Sequence, residues 1–244
     1  MSESERDPFV EREQGSSPSV SLVALLPEIL GPVPAEDRQL AERALVVPRV
    51  VASDEDLAEP MGTQVPGAFD FLVADGIVLK QTTLAGRAAL ELLGPGDVLA
   101  PQLTAVRQLE SRAVSRYLAH GPVSLAAIDD HFRLAARRWP ALADFLHDRL
   151  GRQTHRASMH LAMLHLPRVE DRIIALFADL AERFGHMTAE GAVIDLPLGH
   201  ELIGGLVASR RPTVTLALNR LASDGLIERT GVNRWQVARS LFSI

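Results

Sequence analysis

The chain has 244 residues, 47% of them hydrophobic, with a net charge of −6 and no cysteine. That length suits one large domain or two ordinary ones with a real buried core. The missing cysteines exclude disulfides, thiolate zinc sites, cysteine-held iron–sulfur clusters and thiol redox sensing, and no apolar run reaches the roughly 18–20 residues that a membrane span needs.

The first twenty residues, MSESERDPFVEREQGSSPSV, are acidic and contain Ser, Pro and Gly. They lack the basic start and apolar centre of a signal peptide, so residues 1–20 are expected to form a disordered tail on a cytoplasmic protein. Residues 22–47 read as helical, with a break at Gly31-Pro32-Val33-Pro34. From about 46 to 125 short apolar runs alternate with turn signals. AFDFLVADGIVLKQ reads as two strands around an Asp75-Gly76 type I′ hairpin turn; LAGR follows as a turn, ALELL as a strand and GPGD (94–97) as a tight turn. Strands of this kind predict a small β-barrel or roll.

After residue 125 the period becomes helical. AAIDDHFRLAARRW stops at Pro140, and the 26 residues between Pro140 and Pro167 predict one long helix. Leu146, Leu150, Ala157, Leu161 and Leu164 recur on it at spacings of three, four or seven, across a polar gap near Gly151 to Thr154. Such a stripe serves either as core or as a seam between subunits. Pro167 opens RVEDRIIALFADLAERFG, an amphipathic helix ending at Gly185; LGHELIGGLV is a short helix, and PTVTLALNRLASDG runs from Pro212 to a Gly225 stop. LIERTGVNRWQV reads as strand, Gly231-centred turn, strand. Helix, turn, helix and hairpin in that order make a winged helix. The chain thus divides into the tail, a roll with flanking helices at 21–138, a long helix at 139–166 and a winged helix at 167–244.

Charge is unevenly spread over these segments. Residues 198–244 carry six arginines (Arg210, Arg211, Arg220, Arg229, Arg234, Arg239) against three acids, a balance of +3 that leaves −9 for residues 1–197. A basic end on an acidic body suits a nucleic-acid-binding unit on an acidic scaffold. On a helical wheel of PTVTLALNRLAS, Val214, Ala217, Leu218 and Leu221 share the packed face, and Thr213, Leu216, Asn219 and Arg220 lie opposite. Proline fits the first helical turn and disfavours helix for the residue before it, which puts Arg211 at or beside the N-cap and Arg210 just outside. Two guanidiniums at a helix start can bind phosphates or reach a guanine edge.

LGHELIGGLVASRRPTVTLALNRLASDGLIER resembles the DNA-binding domain of the Crp/Fnr family (cyclic-AMP receptor and fumarate-nitrate regulators), in an actinobacterial-looking branch with a RRPTVTLAL core. ADGIVLKQ and LLGPGDVL are similar to that family's cyclic-nucleotide-binding-like roll, and RVEDRIIALFADLAERFG to the helix after its dimerisation helix; the likeness covers about residues 65–237. The resemblance implies an α+β fold: an N-terminal β-roll, a long dimerisation helix and a C-terminal winged helix-turn-helix. It implies a cytoplasmic homodimer bound to double-stranded DNA, with RNA polymerase as a further partner and no membrane.

By the same resemblance Arg211 falls on a base-reading arginine and Thr213 on a threonine that bonds phosphate. The DNA-facing set is then Arg210, Arg211, Thr213, Thr215, Leu216, Asn219 and Arg220, with Arg229 and Arg234 on the wing; Leu146, Leu150, Ala157, Leu161 and Leu164 make the dimer interface. Some positions depart from the family. Pro212 replaces an acid, and Leu216 replaces a base-reading arginine and suits a thymine methyl. Gly199 replaces a capping threonine, and Ala208 the turn glycine. Gly204 and Gly205 sit inside the first helix, each costing about 0.5–1 kcal/mol relative to alanine, so a looser DNA-binding half is expected.

The family's nucleotide cassette needs Gly-Glu-Leu followed by Arg-Ser/Thr-Ala. After GDVL this chain has APQLTAVRQLESRAVSR, with Pro101-Gln102 at the Gly-Glu position and Ser111-Arg112-Ala113 in altered order. Cyclic AMP is therefore not the expected effector, and no cofactor is expected. Of the eight histidines, His155, His160 and His165 share the long helix at five-residue spacing, off the i, i+4 period of paired ligands, so they read as solvated. No HExxH, Walker A, GxSxG or paired-carboxylate pattern supports an enzyme. The reading is a sequence-specific DNA-binding transcription regulator. The alternative is a ligand- or protein-binding sensor whose winged helix docks a partner instead of reading DNA.

Overall fold

The computed structural model describes residues 18–101 and 113–242. They fall into two compact units: residues up to 87 with 91–154, and residues 88–90 with 155 onward. Most of the expected tail, and Gln102, Ser111 and Arg112 of the altered cassette, lie outside the described residues.

In the first unit, β1 (Ser19–Ser21), the short helix α1 (Leu22–Leu25) and α2 (Arg38–Ala44) lead into β2 (Val46–Ser53) and α3 (Ala58–Gln64). Then come β3 (Asp70–Leu84), β4 (Arg87–Leu93), β5 (Val98–Leu99) and β6 (Val114–Ile128), followed by α4 (Asp130–Arg138) and the start of α5 (Ala141–Leu164). The strands run β1-β2-β6-β3-β4, with β5 on β3. The period-two pattern of β2, with Val47, Val50 and Ala52 buried, divides two cores. Inside the roll lie Phe71, Val73, Leu99, Tyr117 and Leu125; outside it, Ile29, Phe132, Trp139 and Leu142 pack under the helices.

The Asp75-Gly76 pair is not the expected hairpin turn. β3 continues through it, paired with β6 from Asp70↔Ile128 to Thr83↔Val114, and the register shifts around Asp75. Gly76 takes φ +86°, and a Cβ there would lie 2.3 Å from the Pro122 carbonyl oxygen. The pair therefore makes an irregular bend in a long strand, where the partner backbone approaches too closely for any side chain. The hairpin turn falls at Ala85-Gly86, within the LAGR segment, where both residues have positive φ (50° and 74°) as a type I′ turn requires. The GPGD turn forms as expected: Gly96 has φ +83°, the Asp97 amide donates to the Gly94 carbonyl (2.9 Å), and the Asp97 carboxylate accepts from the Gly94 amide (2.9 Å).

The long helix α5 is continuous across the polar gap at Gly151. At its N-terminal end Leu142 is fully buried and Leu146 packs against the outer core. Arg149 pairs with Glu28 and lies over the Phe145 ring. Gln153 binds the free edge of β5, accepting from the Val98 amide (3.0 Å) and donating to the Val98 carbonyl (3.2 Å).

The second unit contains α6 (Val169–Phe184), β7 (Gly185–Met187), β8 (Gly191–Asp195), α7 (His200–Leu206), α8 (Arg211–Ser223), β9 (Ile227–Arg229) and β10 (Arg234–Ala238). Its sheet runs β7-β8-β10-β9, all antiparallel, so the expected two-stranded wing is half of a four-stranded sheet. Buried Trp235 on β10 meets Phe177 of α6 edge to face, 5.1 Å between centroids, which locks the sheet to the helix under the motif. Among the described residues no helix is long and apolar enough to cross a membrane.

Candidate nucleic-acid interface

The candidate interface is built on α8. Its expected packed face is the observed one: Val214, Ala217, Leu218 and Leu221 are all buried. Arg211, Thr213, Leu216, Asn219 and Arg220 point outward, and Leu216 is 61% exposed. The start differs by one residue from expectation. Arg210 is the N-cap, in extended conformation, and Arg211 is the first helical residue with Pro212 after it. The helix tolerates Pro212 because no intrahelical partner exists for its missing N–H. At the other end Gly225 takes φ +68° and the Leu226 amide reaches back to the Leu221 carbonyl (2.9 Å), a Schellman-type stop.

Two contacts fix the turn before α8. The Ser209 amide donates to the Gly204 carbonyl (2.8 Å), and Arg172 of α6 donates to the Val207 carbonyl (2.8 Å). Ala208 holds φ +49° between them, a left-handed conformation that costs a non-glycine residue roughly 1–2 kcal/mol. Gly204 is not a loose spot in this setting. A Cβ on it would lie 2.7 Å from the Ser209 carbonyl oxygen, so the tight turn requires its absence.

The arginines separate into two groups. Arg210 and Arg211 have no side-chain partner among the described residues. Arg220 reaches Glu170 of α6 (2.9 Å). Arg234 holds Asp195 with two nitrogens (2.7 and 3.2 Å), and Arg229 folds over its own turn onto the Gly231 (3.1 Å) and Val232 carbonyls. The carboxyl of Asp195 is held below its ordinary value chiefly by Arg234; that of Glu170 is lowered by its own backbone amide first and by Arg220 second.

Thr215 is half-buried rather than outward. Its hydroxyl donates to the Arg211 carbonyl (3.0 Å) and meets Nδ1 of His200 at 2.9 Å. His200, the first residue of α7, was not among the residues singled out from sequence. Only its position at the helix start hinted at it, because its partner lies fifteen residues away. Of the expected dimer stripe, Leu150 (36% exposed) and Leu161 (62% exposed) stand open to solvent, Ala157 and Leu164 are intermediate, and Leu146 is partly taken by the first unit's core.

In the roll, the amides beside the cassette position are engaged: Val98 with Gln153, and Ala100 with the Tyr117 hydroxyl (3.3 Å). Lys80 pairs with Glu91 at 3.5 Å. Among the described residues no group of three His, Asp or Glu side chains converges as metal donors.

Comparison with known proteins agrees with this architecture. Residues 171–239 match the Crp-like helix-turn-helix domain family. The regulatory protein CysR of Synechococcus elongatus is 31% identical over 144 residues, which span 58% of this chain and 62% of that relative. Among solved structures, a cyclic nucleotide-binding domain containing protein of Listeria monocytogenes superposes with a TM-score of 0.67 at 15% identity, covering 88% of this chain and 98% of that one. A Crp/Fnr-family transcriptional regulator of Thermus thermophilus gives 0.55 at 20% identity, covering 80% and 96%. The fold is therefore a cyclic-nucleotide-binding-like roll joined to a helix-turn-helix domain. Its helix-turn-helix segment is similar to the Crp-like family, and the relatives whose role is described are regulators.

Proposed function

We propose that the protein is a DNA-binding transcription regulator that acts as a homodimer on a two-fold site and does not need cyclic AMP. The outward face of α8 carries this reading. It presents two guanidiniums without a partner among the described residues at its start and Thr213, Leu216 and Asn219 behind them, on a helix whose other face is packed. That is the composition of a major-groove reader: Arg211 for a guanine edge or phosphate, Thr213 for phosphate, Leu216 for a thymine methyl, Asn219 for a base edge. Arg220, Arg229 and Arg234 join as backbone contacts by exchanging their exposed protein partners for phosphates. Exposed pairs of this kind are worth only about 0–1 kcal/mol, so the exchange is cheap.

Leu150, Ala157, Leu161 and Leu164, spaced seven, four and three residues apart on α5, fit a seam with a second copy. Independence from cyclic AMP is supported at the roll. Pro101 has no N–H, the neighbouring amides of Val98 and Ala100 already have acceptors, and Lys80 is paired. A phosphate buried there would lose several kcal/mol of solvation with little in return from the described residues.

Selection of duplexes from a randomised pool by the ligand-free protein tests the reading, followed by anisotropy on the enriched site. Arg211→Ala should weaken that site by about 1–3 kcal/mol. A folded protein that enriches no duplex would turn the reading toward the partner-docking alternative. A gain in DNA affinity matched to tight cyclic AMP binding in calorimetry would overturn the effector part alone.

A further inference from the structure

We propose that His200 is a proton-linked positioning residue of the DNA-binding surface: it clasps the recognition helix through Thr215 and, on protonation, adds a positive charge beside Arg211 and Arg229. The inference rests on the DNA-binding reading above and says which group tunes that binding.

The geometry fixes which ring nitrogen titrates. Thr215 has one hydroxyl hydrogen and gives it to the Arg211 carbonyl at 3.0 Å. At 2.9 Å from Nδ1 the same oxygen can then only accept, so Nδ1 carries a hydrogen and Nε2 is the basic site. Protonation of Nε2 leaves the Nδ1–H donation intact. The clasp between α7 and α8 therefore survives in both states, and what changes is charge.

The surroundings decide the direction of the change. Arg211 of α8 and Arg229 of β9 lie close enough to repel a positive charge on the ring, while Glu201 follows on its own helix and Arg172 of α6 is engaged at the far end of α7, on the Val207 carbonyl. Among the described residues no carboxylate is hydrogen-bonded to the ring. Burial first, then Arg229, then Arg211, hold the imidazole below its ordinary value of 6.5. The two arginines belong to the surface proposed to meet DNA. Phosphates drawn onto them cancel their repulsion and favour the imidazolium, so the pKa of His200 is higher in the complex than in the free protein. A complex with the higher pKa takes up a proton on forming. Affinity is then flat above both values, rises as pH falls through the bound-state pKa, and levels off below the free-state pKa.

The test is anisotropy with duplexes that the protein enriches from a randomised pool, run at constant ionic strength from about pH 8 to about pH 5.5, the range in which histidine titrates. Wild type should tighten about three- to tenfold on acidification, as a difference of half a unit to one unit between bound and free pKa gives. His200→Asn keeps a donor at the Nδ1 position and cannot ionise. Its affinity should show no slope over the same pH range. A wild-type profile without slope, or an asparagine variant that keeps the slope, overturns the inference while the DNA reading stands; a folded wild type that binds no duplex at any pH brings down both. Proton NMR titration of the His200 ring with and without the duplex needs no variant. A pKa that rises in the complex supports the proposal, and one that falls or stays put refutes it.

Discussion

Gly204→Ala is the substitution on which propensity and packing disagree. Glycine inside a helix costs about 0.5–1 kcal/mol relative to alanine, so helix propensity alone promises a more stable α7. The built Cβ would lie 2.7 Å from the Ser209 carbonyl oxygen, and that oxygen is backbone, not the movable end of a side chain. It must withdraw by roughly 0.7 Å to reach an ordinary contact, and overpacking of this kind costs about 1–3 kcal/mol. The withdrawal also pulls on the Ser209–Gly204 hydrogen bond (2.8 Å) and on Ala208, which already sits at φ +49°. The net expectation is a loss of about 0.5–2 kcal/mol, together with weaker DNA binding because Arg210 and Arg211 follow the displaced residue directly. Urea unfolding read from Trp235 suits the measurement: the chain has two tryptophans, and Trp139→Phe leaves Trp235 as the only reporter, inside the affected unit. Gly199→Ser, at an N-cap with open space around it, is the control and should gain a few tenths of a kcal/mol. An unfolding midpoint for Gly204→Ala equal to or above wild type would refute the argument.

Glu170→Gln should release Arg220 to phosphate and steepen the salt dependence of DNA binding, whereas Arg220→Ala should flatten it by about one unit of slope; identical slopes in both variants would place Arg220 off the DNA. Leu161→Glu should put a charge in the proposed dimer seam and raise the dimer dissociation constant at least about tenfold in sedimentation. A wild type that is monomeric at micromolar concentration would remove the seam from that stripe. Asp70 is half-buried, and burial lifts its carboxyl to about 6 from the ordinary 3.8. The folded state therefore binds more protons between those values, and stability falls as pH rises through them. Asp70→Asn should be more stable than wild type at neutral pH, by about 1 kcal/mol once the shift is discounted for solvent screening, with the advantage gone below about pH 4 in urea titrations.

Local pattern was legible where a segment's neighbours are its own sequence. The packed face of α8 followed from periodicity, because Val214, Ala217, Leu218 and Leu221 are all buried on one side of a regular helix. The Asp75-Gly76 hairpin failed because the same dipeptide serves a turn or a bend, and the close approach of Pro122, forty-odd residues on, selects the bend. β7 and β8 escaped notice because HMTAEGAVID offers only short runs, which the sheet makes regular by pairing β8 with β10. The same dependence on distant partners governs the charges. The +3 balance of residues 198–244 treats its arginines alike, yet Asp195 and Glu170 lie outside that window and engage Arg234 and Arg220 in the fold, while Arg229 bends back on its own turn. Among the described residues Arg210 and Arg211 are left without a side-chain partner, at the start of α8 next to the helix amides that no intrahelical carbonyl can satisfy. On the proposed DNA-binding reading, a phosphate would meet these two guanidiniums without displacing a protein partner, whereas Arg220 and Arg234 would first have to give up the carboxylates they hold.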